Sequence, residues 1–242
     1  MGKVLILQNA PLFTGGNFEE ELTQRNIPFE VKKAYEGEKL PIGEQLAAYS
    51  GLIVLGGPLS LRVEEPSKVS WLAKEFSLLR QALDQHLPII AVGQGANLLA
   101  SAQGAWIDRS PKLKEIGWVT GEVYADYSRN SVIYSTIDEK FFPIFCWYDT
   151  INGFPPTGYW YMLSPNCRYQ STGIHGNCYL FNFHPEVNEA LLNSWLKEYG
   201  KEVGSKEAIQ KIQEQGAEGF QFAKKLSQKI IHAFEAFLKS RG

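Results

Sequence analysis

Through the first hundred residues, short unbroken apolar runs alternate with longer stretches whose apolar positions recur at helical spacing. Val4 to Gln8, Phe29 to Lys33, Leu52 to Leu55 and Pro88 to Val92 read as strands of a parallel sheet covered on both faces. Helices are expected between them. The clearest spans Ser67 to Gln85, where Leu72, Phe76, Leu79 and Leu83 fall on one side. From Ile116 onward the pattern changes to aromatic-rich strands and Gly/Pro turns, which predicts a smaller antiparallel portion, and two helices close the chain. The last, about Ala217 to Leu238, sets Phe220, Ala223, Leu226, Ile230, Phe234 and Phe237 along one stripe, with Lys224, Lys225 and Lys229 on its wet side. That stripe is expected to pack on the same domain; a partner interface is the other reading. No internal repeat or linker interrupts the pattern. One α/β domain over residues 1–242, with C-terminal helices at about 187–240 packed on it, is the expected organisation.

Bulk properties narrow the picture. A single α/β unit of 242 residues buries roughly 70–75% of its unfolded surface and needs no covalent staple. The formal net charge of −2 comes without a clustered basic face, so nucleic acid is not an expected partner. Cys146, Cys167 and Cys178 share no close spacing, which argues against both a disulfide framework and a thiolate metal site. They are expected to be ordinary core thiols. His86, His175 and His232 form no ligand spacing with carboxylates, so no metal and no cofactor is expected. The chain passes from Met1-Gly-Lys straight into Val4 to Leu7, too little for a signal sequence, and no stretch approaches the roughly 20 apolar residues of a membrane span. A cytoplasmic protein with no membrane contact is the expectation.

The candidate chemistry lies in residues 87–100, Leu-Pro-Ile-Ile-Ala-Val-Gly-Gln-Gly-Ala-Asn-Leu-Leu-Ala, which read as a buried strand, a sharp turn and the start of a helix. A nucleophile elbow has this form: its apex residue is held over the sheet edge by a strained backbone with small residues on either side. Ala91 and Gly95 supply the small residues. The apex is Gly93, which carries no reactive atom. Gly56-Gly57-Pro58 on its own could cradle a phosphate, but no Gly-Lys-Ser/Thr run accompanies it.

Four segments taken together resemble the class I glutamine amidotransferases, in particular the glutaminase domain of GMP synthase. Ala91 to Asn97 is similar to the family's Gly-Ile-Cys-Leu-Gly-His-Gln. Gly51 to Ser60 is similar to its strand and Gly-Gly-Pro loop, Lys114 to Trp118 to its Glu-Ile-Gly-Trp stretch, and Phe181-Asn-Phe-His-Pro-Glu186 to its Phe-Gln-Phe-His-Pro-Glu signature. In order and spacing these cover residues 1 to about 199. The resemblance implies a flavodoxin-like α/β fold: a mostly parallel central sheet with helices on both faces and a small antiparallel portion. It places the family cysteine on Gly93, its leucine on Gln94, its histidine on Ala96 and its substrate-contacting glutamine on Asn97. His184 and Glu186 then stand as the remnant of a catalytic triad. Gly56 and Gly57, with Gly93, Gln94 and Asn97, would line the oxyanion hole and substrate pocket.

In that family a thiolate attacks the side-chain amide of glutamine, a histidine manages the proton, two backbone N–H groups hold the oxyanion and ammonia leaves for a synthetase. Gly93 cannot begin the sequence. The first expectation is therefore an amidotransferase-like protein that has lost glutaminase activity and binds a glutamine-like small molecule or a partner protein. An enzyme of altered mechanism using His184 and Glu186 to activate water is the second. The third is a glutaminase-like subunit of a larger synthetase complex, although no synthetase domain is expected within the chain. Trp147, Tyr148, Tyr159, Trp160 and Tyr161 flank Asp149 and read either as core packing or as the rim of a reshaped pocket.

Overall fold

The computed structural model describes residues 2–61, 69–109, 112, 114–124, 131–136, 141–146, 149–153 and 158–240, with the backbone alone at 136 and 141–146. The first four apolar runs form β1 (Lys3–Gln8), β2 (Phe29–Lys33), β3 (Tyr49–Val54) and β4 (Ile89–Val92). Later strands are β5 (Ile107–Arg109), β6 (Glu115–Thr120), β7 (Glu122–Val123), β8 (Phe141–Cys146), β9 (Asp149–Ile151), β10 (Gly158–Leu163), β11 (Ser171–Ile174) and β12 (Cys178–Phe181). The main sheet has eight strands in the order β2-β1-β3-β4-β12-β11-β10-β7. The first five are parallel and the last three extend the sheet antiparallel. Two-stranded sheets, β5 with β9 and β6 with β8, are the other strand pairings among the described residues. This is an α/β fold with a mostly parallel sheet and a small antiparallel part.

Side chains alternate between the two faces, and each face has its own helices. Val4, Ile6, Ile53, Ile90, Val92 and Phe181 pack against Phe18 and Leu22 of α1 (Asn17–Gln24) and against Leu226, Ile230 and Phe234 of the last helix. Leu5, Leu7, Leu52, Val54, Ile89, Ala91 and Leu180 face the other way, onto α2 (Leu72–Asp84) and α3 (Gln94–Ala102). Burial of both faces explains why these strands read as unbroken apolar runs rather than as alternating ones.

Ser67, the predicted start of α2, lies outside the described residues. Val69 to Trp71 form a turn in which Val69 O accepts from Leu72 N, and the helix begins there. Its buried face also differs. Phe76 is half-buried, and the fully buried position beside it is Glu75.

Three helices close the chain rather than two: α4 (Glu189–Val203), α5 (Lys206–Glu214) and α6 (Gly216–Lys239). The break has a local cause. Gly204 takes φ 116°, a value side chains rarely adopt, and Ser205 then caps α5 by accepting from Ala208 N at 3.2 Å. Ala223, Leu226, Ile230 and Phe234 of α6 are buried as the stripe predicts, with Phe220 and Phe237 at its half-buried margins. Lys224 and Lys225 are exposed, while Lys229 is half-buried.

Asn188 caps α4: its side-chain oxygen accepts from Leu191 N at 3.0 Å. Replacing it with alanine is expected to cost about 1 kcal/mol, read as a lower midpoint in chemical denaturation. An unchanged midpoint would show that another group satisfies Leu191 N–H.

Candidate functional site

The site lies at the C-terminal ends of β3, β4 and β12, the position where open parallel sheets hold ligands. Gly93 forms the turn between β4 and α3 with φ 52° and ψ −123°, and its N–H donates to Phe181 O at 2.8 Å. Because β12 pairs with β4 in register, Phe181 beside Val92, the segment after Phe181 brings His184 directly against this turn. A Cβ built on Gly93 would lie 2.5 Å from Cε1 and 2.6 Å from Nε2 of His184; one built on Gly56 would lie 2.9 Å from the same Cε1. The imidazole thus fills a seat between two glycines. Any side chain at position 93 would have to displace it.

His184 is held from several sides. Its Nδ1 is 2.6 Å from Glu186 Oε1, and both side chains are about 2% exposed. Trp195 meets the ring edge-on at 5.0 Å between centroids. The turn that follows is pinned by two helices: Ser227 Oγ of α6 donates to Pro185 O at 2.6 Å, and Asn17 of α1 donates from its backbone N to Glu186 O at 2.9 Å and from Nδ2 to Val187 O at 2.7 Å. Glu186 Oε2 is buried and accepts no hydrogen bond among the described residues.

A shallow pocket beside the ring is lined by Gly57, Pro58, Leu59, Ser60, Gly93, Gln94, Asn97, Arg109, Asp149, Asn182 and His184. The structure therefore brings together the residues singled out from the sequence. Gly57, Gly93, Gln94, Asn97 and His184 line the pocket, Gly56 backs the imidazole, and Glu186 holds it from behind. The Gln94 side chain reaches across to the Gly57 loop. Its Nε2 donates to Leu59 O at 2.9 Å, while its Oε1 is buried without a partner and would lie 2.6 Å from a Cβ on Gly57. Asn97 Nδ2 donates to Asp149 O at 3.3 Å.

Sequence reasoning missed the pocket's other polar wall. Asp149 accepts from Ser60 Oγ at 3.0 and 2.8 Å, from Leu61 N at 2.9 Å and from Arg109 Nη1 at 2.9 Å, tying the Gly57 loop to the β5–β9 pair. Of the aromatic group around Asp149, Trp147 and Tyr148 lie outside the described residues. Tyr161 is buried in the core, and neither it, Tyr159 nor Trp160 lines the pocket.

A second omission is the pair behind the Gly56–Gly57 loop. Asn9 Nδ2 donates to both Leu55 O and Glu75 Oε1, each at 3.1 Å. Glu75 Oε2 has no partner, and burial pushes this carboxyl up to about 8. A carboxylate three residues after Leu72 in an apolar stripe was the available signal.

Cys167 and Cys178 are both buried, and burial raises their thiols to about 11 and about 12. Cys167 Sγ lies 2.7 Å from Thr150 Oγ1, and neither thiol lines the pocket. The side chain of Cys146 is outside the described residues. Among the described residues no cluster of three or more metal-ligating side chains is present, and no helix is long and apolar enough to cross a membrane.

The sequence matches no protein-family model and no curated protein. Solved structures do match the fold. A glutamine amidotransferase from Thermotoga maritima is 24% identical with a TM-score of 0.84 over 98% of each chain. Another from Methylobacillus flagellatus is 23% identical with a TM-score of 0.87 over 98% of this chain and 95% of that one. A protein from Thermoplasma acidophilum assigned to GMP synthase as one of its subunits is 16% identical, with a TM-score of 0.66 over 100% of this chain and 96% of that one. At these identities the likeness establishes the fold, which is glutamine amidotransferase-like.

Proposed function

We propose that the chain is a class I glutamine amidotransferase-like protein in which Gly93 stands where the family carries its cysteine, and that it does not hydrolyse glutamine. The observation that carries this reading is the placement of His184. Its ring lies 2.5–2.6 Å from the point a Cβ at position 93 would occupy, so the seat of a nucleophile is taken by the base that would have served it. The retained pocket then acts in binding. Its lining, with Gln94, Asn97 and Asn182 carboxamides beside the Ser60–Asp149–Arg109 network, suits a small polar ligand of glutamine-like chemistry. The likeness to a protein assigned to a multi-subunit synthase supports a partner protein as the other candidate for binding.

The His184–Glu186 pair at 2.6 Å favours a second reading, in which the oriented imidazole activates water. Ammonia release from glutamine at high protein concentration, measured alongside His184→Ala, separates the two. The expected outcome is no histidine-dependent release. A rate that His184→Ala abolishes would overturn the non-catalytic reading and establish the second.

A further inference from the structure

At the opposite end of β4 and β12 from Gly93 and His184, two histidines far apart in sequence meet on the surface. His86 ends the turn between α2 and β4. Its N–H donates to Leu83 O at 2.9 Å, Leu87 N donates to Ala82 O at 2.8 Å, and its own φ is 52°. This is the left-handed position that closes a helix and that glycine favours. His175, with φ 54°, stands in the turn between β11 and β12. Asn177 clamps the two turns together, its Nδ2 donating to His86 O at 2.9 Å and its backbone O accepting from Ile89 N at 3.2 Å. The ring centroids are 5.2 Å apart with planes inclined at 50°. Both histidines are exposed.

Two features of this pair go beyond an incidental ring contact. Among the described residues, three non-glycine residues take a positive φ, and two of them are these histidines. Each turn carries a backbone cost that glycine would avoid, and each uses it to hold an imidazole next to the other. The separation also admits a shared ion. With a metal–nitrogen bond of about 2.0–2.1 Å, an ion sits about 3.2 Å from each ring centre, so two imidazoles on a tetrahedral ion have centres roughly 5 Å apart.

We propose that His86 and His175 form a surface site for a divalent transition-metal ion. Among the described residues the pair belongs to no larger cluster of metal-ligating side chains, so the site is offered by two imidazoles. Cys178 is near, its Sγ donating to Leu87 O at 3.5 Å, but it is buried and remains a thiol. Imidazole-only ligation favours Zn²⁺, Ni²⁺ and Cu²⁺ over Mg²⁺ and Ca²⁺, which prefer oxygen ligands. An ion here would tie the β11–β12 turn to the end of α2, independently of what the Gly93 pocket does.

The test is titration of the full chain with Zn²⁺ alone, by calorimetry and by thermal melting, for the wild type and for His86→Gly, His175→Gly and His232→Ala. The two glycine variants suit the left-handed backbone and are expected to keep cooperative melts. The wild type and His232→Ala should bind one ion per chain and melt higher with Zn²⁺ than without it. Loss of a partner that only orients a ligand weakens metal sites 10–100-fold, so loss of one of two ligands should weaken this one by at least about tenfold. Equal Zn²⁺ binding by the wild type and both glycine variants would mean dispersed surface binding and would overturn the site. So would the absence of any bound ion in the wild type at millimolar Zn²⁺.

Discussion

A cysteine introduced at position 93 will destabilise the protein by roughly 2–6 kcal/mol, and it will not start glutamine hydrolysis. Two independent costs add. The backbone at φ 52° and ψ −123° is one that side chains adopt only under strain, of order 1–3 kcal/mol. The new Cβ would also lie 2.5 Å from His184 Cε1, inside a packed wall, and overpacking of that kind costs typically 1–3 kcal/mol. The imidazole cannot simply swing away, because Glu186 Oε1 holds Nδ1 at 2.6 Å and Trp195 closes one side. The two terms separate in a double-mutant cycle. If His184 is the obstacle, Gly93→Cys combined with His184→Ala should be less unstable than the sum of the single changes, because the shortened side chain vacates the contested space. Additive effects would show that backbone strain alone accounts for the loss. A Gly93→Cys protein as stable as the wild type would sink the account of the seat altogether.

The second large effect is a pH dependence of stability carried by Glu75. Burial raises its folded-state carboxyl from an ordinary value of 4.5 to about 8, against a weaker opposing hydrogen bond from Asn9. The folded state therefore binds a proton that the unfolded chain has already released. Its contribution is fully present below pH 4.5 and is lost progressively as pH rises to about 8, where the carboxyl ionises inside the fold. At about 1.4 kcal/mol per unit the loss across that window is several kcal/mol, roughly 4–5 at most. Glu75→Gln keeps an oxygen to accept from Asn9 and cannot ionise. Its stability should therefore fall less than that of the wild type between pH 5 and 8, with the variant overtaking in the upper part of the range. Parallel denaturation midpoints for the two proteins through this window would show that Glu75 is not held protonated by the fold.

The parallel half of the fold was legible because burial on both faces leaves no ambiguity of register. Leu5 and Val4 belong to opposite cores, yet both must be apolar, so the runs Val4 to Gln8 and Pro88 to Val92 announce themselves. The site's centre was legible for a related reason. Gly56 and Gly93 mark places where a Cβ would meet the His184 ring, and Gly57 one where it would meet the Gln94 side chain, approaches that glycine fits. What the sequence hid depends on partners far along the chain. Asp149 is one more surface carboxylate until Ser60, Leu61 and Arg109 are seen to converge on it. Glu75 reads as a helix-surface glutamate until α2 is rotated so that residue 75, rather than Phe76, faces inward. The break between α4 and α5 rests on a single glycine conformation, which periodicity over a window averages away.

The position of β12 has a consequence for how the molecule comes into being. It lies between β4 and β11 and contributes the fifth parallel strand, although its residues emerge from the ribosome long after β1 to β4. Until residues 178–181 are available, the β4 edge next to Gly93 stays unpaired, and an exposed apolar strand edge invites association with other chains. The segment that supplies this strand also supplies His184, so closure of the edge and construction of the pocket are one event. Nascent chains stopped short of it should be sticky and in need of chaperones.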